Sequence, residues 1–144
     1  MSDPSFSIKY EDKAIQEALT KLLSKTSNLT PVMQEIGEYG IASVDLRFQQ
    51  EVDPDGRPWK PLSIFTIRLK RSEGKILRIL QRTGLMRSRV NYKVTPTSCT
   101  IGINDAKAYK HQFGIGVPQT KMLGINEEDK QEILSIINDY LEDI

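Results

Sequence analysis

Two stretches of the chain alternate apolar and polar residues, and this period of two predicts half-buried β-strands. Near the N-terminus, Phe6, Ile8 and Tyr10 alternate with polar neighbours. The second stretch is longer: every other residue is apolar in 90–94 and again in 99–103. Because a short turn segment separates these two runs, they predict an antiparallel hairpin.

Three other stretches repeat apolar residues every three or four positions, which predicts amphipathic helices. They cover 15–23, 31–50 and 127–144. Asn126 and Asp129 have the spacing of a capping box at the start of the third helix, and acidic residues fill its first turn, as the helix dipole favours. We therefore expect a C-terminal helix with a well-defined beginning.

The second of these helices carries further signals. Thr30 followed by Pro31 predicts an N-cap and a first helical residue. Gly37 and Gly40 lie inside the helix, where each costs about 1 kcal/mol relative to alanine. We interpret them as places where another helix approaches closely. The predicted apolar stripe consists of Val32, Ile36, Tyr39, Ala42 and Leu46.

The remaining segments are shorter. Residues 53–58 (Asp-Pro-Asp-Gly-Arg-Pro) are dense in turn-forming residues. We expect a short helix at 63–70, a strand or turn near 76–80 and a single helical turn at 85–88. A buried connection is expected after the hairpin, with its apolar residues inside: Ala108, Tyr109, Phe113 and Ile115.

The predicted fold class is α+β: helices packed on a small antiparallel β-sheet, with a central hairpin and a C-terminal helix. A length of 144 residues suits one domain, covering 1–144. Apolar residues make up 38% and charged residues 27% of the chain, and no apolar run approaches a membrane span of roughly 18 residues. The N-terminal residues lack the pattern of a signal peptide.

Cysteine and histidine each occur once, which limits the possible chemistry. Cys99 has no partner for an internal disulfide and falls on the apolar side of a predicted strand, so we expect a small core residue. His111 has no Cys/His cluster for a metal and no neighbouring nucleophile or acid, so a structural role is favoured over that of a general base. These observations argue against a metalloenzyme and a secreted mini-protein.

Three other features resemble functional motifs without completing them. Asp53 and Asp55 could begin a Ca²⁺ loop, but Ile64 stands where the twelfth-position Glu would be, so a turn is favoured. Gly114 and Gly116 lack the three-glycine phosphate-binding pattern. Trp59 could stack on a base, but a tryptophan beside prolines at a turn more often packs on the core or on a partner. We therefore expect no enzyme, metal or cofactor.

Charge is strongly segregated along the chain although the net charge is only +1. Residues 1–56 sum to −5, residues 57–93 to +10 and residues 94–144 to −4. The basic middle could face a polyanion, pair with the acidic surface of a neighbouring copy, or form a solvated surface. All three interpretations stay open. The candidate contact residues are Arg68, Lys70, Arg71, Lys75 and Arg78.

Several segments, taken together and in order, resemble the phage virion morphogenesis (tail completion) family of tailed bacteriophages. The resemblance covers about 40–144. Its most specific segments are Asp53-Pro54-Asp55-Gly56 with Trp59, Arg82-Thr83-Gly84-Leu85 and His111-Gln112-Phe113-Gly114. The other segments that carry it are Arg47-Phe48, Pro61-Leu62, Thr66, Lys70, Ile76-Leu77, Ile101-Gly102 and Met122-Leu123-Gly124-Ile125. The sequence departs from the family pattern at 118–124, where the Arg and the aromatic residue common in the family are Thr120 and Met122.

The resemblance implies a non-enzymatic structural protein of the phage neck or tail end, which completes the tail or joins it to the head. It implies assembly in the host bacterial cytoplasm, location in the virion, and a sixfold ring. The implied partners are other copies of the chain, tail-tube or neck and connector proteins, and packaged DNA, with no membrane. Assembly or structural roles are implied for Asp53, Asp55, Gly56, Trp59, Gly84, His111, Gln112, Phe113, Gly114, Leu123 and Gly124.

A nucleic-acid-binding module that uses 57–93 without sequence preference is the alternative. Against it, the basic stretch has no recognisable recognition helix, and its aromatic residues are not interleaved with its charges.

Overall fold

The computed structural model describes residues 6–7, 12–60, 64–74 and 85–143. Its three strands and six helices give the predicted α+β class. In chain order they are β1 (Phe6–Ser7), α1 (Lys13–Leu23), α2 (Thr30–Gln50), α3 (Ile64–Ser72), α4 (Leu85–Ser88), β2 (Val90–Thr95), β3 (Ser98–Ile103), α5 (Ala106–Phe113) and α6 (Glu127–Glu142).

The strands form one antiparallel sheet in the order β1-β3-β2. The β2–β3 hairpin is confirmed, and its register pairs Val90 with Ile103 and Thr95 with Ser98, so two residues close the turn. On the other side of β3, Phe6 pairs with Ile103. The rest of the predicted N-terminal strand, residues 8–10, and the predicted strand or turn at 76–80 lie outside the described residues.

Helix α2 lies against the hairpin, and its two interior glycines face the sheet. A Cβ atom added at Gly37 would overlap the ring of Tyr92 in β2, and one added at Gly40 would overlap the side chain of Ile101 in β3. The predicted close approach therefore occurs, but the expected partner was wrong: it is the sheet, not another helix. Glycine at these positions lets the helix backbone lie close to large strand residues.

The described core consists of two hydrophobic clusters along α2 and the hairpin. The first cluster takes Val44 and Phe48 from the C-terminal part of α2, together with Ile103 at the open end of the hairpin. The second takes residues from the N-terminal part of α2 and its loop, and α1 and α6 cover it. Its fully or nearly buried members are Leu22, Leu29, Val32, Met33, Ile36, Ile133, Ile136 and Ile137.

The predicted N-terminal cap is confirmed for α6 and is one residue off for α2. Asn126 and Asp129 form the predicted capping box of α6. The predicted N-cap of α2 was wrong: the cap position is Leu29, and Thr30 is already helical. Asn28 replaces the expected cap, because its side-chain Oδ1 accepts hydrogen bonds from both the backbone N–H and the hydroxyl of Thr30. The asparagine thus satisfies a backbone donor that the helix leaves free.

Two predictions of burial were also wrong. In α2, Leu46 is 48% exposed and Ala42 is exposed, whereas Arg47 is buried on the same face as Val44. The segment after the hairpin is helix α5, which is buried on one face only: Ala108 is closed to solvent. Three of its predicted core residues are about half exposed: Tyr109, Phe113 and Ile115.

Candidate functional site

Residues 119–124 run without regular structure between α5 and α6. Side chains from α2, from the turn after α2 and from α5 hold this loop. Gln112 of α5 contributes most. Its Oε1 accepts hydrogen bonds from the backbone N–H groups of Met122 and Leu123 at 2.8 and 3.0 Å, and its Nε2 donates to the carbonyl of Leu123 at 3.0 Å. Gln112 is only 3% exposed, and the backbone groups of the buried Met122 and Leu123 need hydrogen-bond partners. The Gln112 side chain supplies the bonds that a neighbouring strand would otherwise provide.

Trp59 reaches the same loop from the turn that follows α2. Its indole Nε1 donates to the carbonyl of Lys121 at 2.9 Å, and its ring meets Phe48 edge to face with centroids 5.4 Å apart. The ring is 4% exposed, so Trp59 packs on the core of its own chain, one of the two places expected for it.

The turn before Trp59 is ordered by its own side chains. Oδ1 of Asp53 accepts hydrogen bonds from the backbone N–H groups of Asp55 and Arg57 at 2.9 and 2.8 Å. Gly56 has φ +82°, a conformation that glycine adopts easily. Asp53 is thus occupied with backbone donors, as the turn interpretation expects rather than a Ca²⁺ loop.

Close contact also joins this turn to the loop at Gly124. A Cβ atom at Gly124 would stand 2.8 Å from Cγ of Pro54, so only glycine fits beside the proline without a shift. The fold brings several of the predicted residues together around 119–124: Trp59, Gln112, Gly114, Leu123 and Gly124. Asp55 and Phe113 border the same region, whereas Asp53 and Gly56 shape the adjoining turn. Gly84 lies outside the described residues.

Arg47 and Asp129 form a buried ion pair at the base of the loop, which sequence analysis did not predict. Their side chains are 5% and 6% exposed. Nη1 of Arg47 also donates to the carbonyl of Met122 at 3.0 Å. Oδ1 of Asp129 accepts from the hydroxyls of Tyr39 and Ser43 at 2.8 and 2.7 Å. The pair therefore links α2, the loop and the start of α6.

Burial sets the direction of the pKa shifts in this network. The pKa of Arg47 is lowered by desolvation, and Asp129 opposes that shift. The pKa of Tyr39 is raised by burial and by its hydrogen bond to Asp129. The raised pKa keeps Tyr39 neutral at neutral pH. Arg47 keeps its charge because a guanidinium is not deprotonated in proteins. The network borders a cleft of about 490 Å³ between α2, β3 and α6.

His111 and Cys99 have environments suited to structural roles. The backbone carbonyl of His111 accepts a hydrogen bond from the N–H of Thr120 at 2.7 Å. Burial lowers the pKa of His111, while Asp105 raises it and Lys107 lowers it. Burial raises the pKa of the half-buried Cys99 thiol to about 11, so the thiol is protonated at neutral pH.

The basic candidates are only partly described. In α3, Arg68 and Arg71 are exposed and Lys70 is 7% exposed. Lys75 and Arg78 lie outside the described ranges. Among the residues that the structure describes, no group of three or more His, Cys, Asp or Glu side chains could hold a metal ion, and no helix has the length and apolarity needed to cross a membrane.

In this site, polar side chains of α2, α5 and the turn after α2 fix a loop and the surface beside it. A family model described as the phage virion morphogenesis family matches residues 10–142, and the chain belongs to this family. Neither a search of curated proteins nor a search of solved structures gives a match. The protein therefore has a role in phage virion morphogenesis, which implies a location in the virion.

Proposed function

We propose that the protein forms a ring at the neck or tail end of the phage particle, where it completes the tail or joins it to the head. The ring is made in the cytoplasm of the infected bacterium and contacts tail-tube or connector proteins. Its role is structural, and its subunits associate through two unlike surfaces, as a closed heterologous ring requires.

The observation that carries this proposal is the separation of charge into distinct surfaces. The exposed residues of α6 and its C-cap include six carboxylates, and the single basic residue of the helix, Lys130, is paired with Asp12 at 3.1 Å. Helices α3 and α5 carry exposed basic residues, Arg68, Arg71, Lys107 and Lys110, and α1, which packs on α6, adds the exposed Lys13 and Lys21. Opposite charges on different elements of one subunit favour association between unlike faces and set its register.

The experiment is to measure the mass of the purified protein by analytical ultracentrifugation and to image it by electron microscopy, alone and with tails. We expect one closed assembly that caps tails and that weakens as salt rises. The double variant Glu132→Lys/Asp139→Lys should stay folded and fail to assemble. Glu17→Lys, an exposed change on α1, is the matched control and should assemble normally. A wild-type protein that stays monomeric and ignores tails would overturn the proposal.

Non-specific binding to packaged DNA is the second candidate, supported by the exposure of Arg68 and Arg71 one turn apart on α3. If α3 lines the channel of a ring, duplex DNA should bind without sequence preference, and log K against log salt should fall with a slope of roughly −0.9 per phosphate neutralised. The variant Arg68→Glu/Arg71→Glu should then keep the ring and lose DNA. Lost rings would instead place α3 in a subunit contact, and unchanged rings with unchanged DNA binding would leave a solvated surface.

A further inference from the structure

Helix α5 and Ile115, two residues after its end, present an exposed apolar surface beside the loop at 119–124. Tyr109, Phe113 and Ile115 are 48%, 48% and 49% exposed, and the two aromatic rings are in contact with centroids 5.1 Å apart. Exposed Lys107 and Lys110 lie on the same helix. We call these five residues the α5 surface.

The α5 surface is fixed in place because the opposite face of the helix is buried. Gln112 and Ala108 hold the other face of α5 in the core. The C-cap Gly114 has φ +68°, and a Cβ atom added there would stand 3.0 Å from Cβ of Gln119. A fixed aromatic centre with basic residues around it has the composition of a protein interface rather than of an ordinary surface helix.

The charges of α5 specify the kind of partner. The helix has no acidic residue, and the N-cap Asp105 is occupied: it accepts a hydrogen bond from the backbone N–H of Lys107 and pairs with Arg89. A complementary surface would therefore carry carboxylates around a modest apolar centre.

The C-terminal end of α6 has that composition. Its last turn contains no basic residue, although a helix C-terminus favours cations, and Asp139, Glu142 and Asp143 are exposed there. Tyr140 and Leu141 beside them are only partly buried. These carboxylates face the unfavourable end of the helix dipole, and lysines of a neighbouring subunit would relieve that cost.

The two surfaces are far apart on one subunit. The buried face of α5 joins the first hydrophobic cluster, near Val44 and Phe48 of α2, whereas Ile136 and Ile137 of α6 join the second, near Val32 and Ile36. About 12 residues of helix, or roughly 18 Å, separate these positions along α2. Because the two helices pack on different clusters, we infer that a contact between these surfaces joins two subunits.

We propose that the α5 surface of one subunit binds the acidic C-terminal end of α6 of the next copy, with Tyr109 and Phe113 at the centre of the contact. The inference rests on the proposed ring and names the surfaces that build it.

Cysteine cross-linking tests the contact directly. In a Cys99→Ala background, Lys110→Cys and Glu142→Cys are made as two separate variants. We expect a covalent dimer under mild oxidation when the two are mixed, and little when either is oxidised alone, because unlike faces meet. Gln50→Cys, an exposed position at the C-terminal end of α2, mixed with Lys110→Cys is the control and should stay monomeric. Cross-linking of either variant with itself would overturn the assignment, and so would the absence of a cross-link when Lys110→Cys and Glu142→Cys are mixed.

Charge exchange gives an independent measurement. Lys107→Glu/Lys110→Glu should raise the protein concentration needed for half-assembly by at least about tenfold, and adding Glu142→Lys/Asp143→Lys to the same chain should restore it. Tyr109→Ser/Phe113→Ser should also prevent assembly while the circular dichroism spectrum stays that of the folded chain.

Failure of the contact and failure of the ring are distinguishable. If wild-type rings form and the α5 variants form them equally well, the ring stands and the assignment of its surfaces is wrong. Variants that assemble but no longer bind tails, or no longer bind DNA, would likewise move the α5 surface to another partner and overturn the inference. A wild type that never assembles would overturn the proposed function itself.

Discussion

Arg47 and Asp129, 82 positions apart in sequence, meet as a buried ion pair that joins the middle of the fold to its C-terminal helix. Each residue has further partners: Arg47 donates to the carbonyl of Met122, and Oδ2 of Asp129 accepts from the backbone N–H of Asn126 in the capping box of α6. Two charges removed from water are tolerated here because every described buried polar side-chain atom has a hydrogen-bond partner.

The first prediction concerns this pair. Asp129→Asn should lower the free energy of unfolding by about 3–5 kcal/mol, because Arg47 stays buried without a counter-charge. Arg47→Met combined with Asp129→Asn should cost less than the sum of the single changes. Urea denaturation of the four proteins measures this coupling. Strictly additive losses would contradict it.

The helical pattern did not predict the burial of Arg47, for a physical reason. The apolar stripe of α2 was expected to continue through Ala42 and Leu46, because apolar residues were assumed to mark the buried face. Helical spacing from Ile36 also reaches Arg47, and that was the available signal. Choosing a buried arginine over a leucine requires knowing that Asp129, far away in sequence, arrives to pair with it.

The second prediction concerns Gly37. Gly37→Ala should destabilise the protein although alanine favours helices by about 1 kcal/mol, because the new methyl group meets the ring of Tyr92. Tyr92 cannot turn away freely, since its hydroxyl donates to Glu38 at 2.7 Å. Thermal unfolding should show a lower midpoint.

Gly40→Ala is the matched comparison for Gly37→Ala. It should cost less, because the obstructing atom is the flexible end of Ile101. Greater stability of Gly37→Ala than of the wild type would contradict the close approach.

The third prediction concerns Trp59. Trp59→Ala should cost about 3–5 kcal/mol in unfolding free energy by emptying a core position. Trp59→Phe should cost less, mainly because the carbonyl of Lys121 loses its donor. The chain has one tryptophan, so its fluorescence reports this site alone. Emission at the same wavelength in folded and unfolded protein would show that the ring is not buried.

The fourth prediction concerns pH. Burial lowers the pKa of His111 below its ordinary 6.5. The charge of Asp105 opposes this shift, and the charge of Lys107 adds to it. The folded chain therefore binds this proton less tightly than the unfolded chain. Stability from this group is complete above pH 6.5 and is lost as the pH falls through the lowered pKa of the folded state.

Comparison with His111→Gln isolates that contribution. Between pH 7 and pH 5, the free energy of unfolding from urea denaturation should fall more for the wild type than for His111→Gln. At pH 7, the assembly of His111→Gln should be within a few-fold of that of the wild type. An equal loss in both proteins would exclude His111 as the source.

The hairpin, the three long helices and the capping box of α6 follow from local patterns, which is why the sequence was sufficient for them. The aromatic residues of α5 show the limit of such patterns. Tyr109, Phe113 and Ile115 are apolar at helical or near-helical spacing, and apolarity alone does not distinguish a residue facing its own core from one facing outwards. Only the position of Gln112, turned inwards to the loop, decides which face of α5 is buried.

The two clusters also have a consequence for how the protein opens. Helix α2 and the hairpin belong to both clusters, whereas α1 and α6 cover only the second. The outer pair can therefore separate, with loss of the Arg47–Asp129 pair, while the first cluster keeps its packing, as a cooperative unit of lower stability than the whole. In native-state hydrogen–deuterium exchange, amides of α1 and α6 should exchange together and ahead of those in the middle of α2. An incoming neighbour that binds the end of α6 would slow that exchange, so joining the particle would also rigidify the subunit.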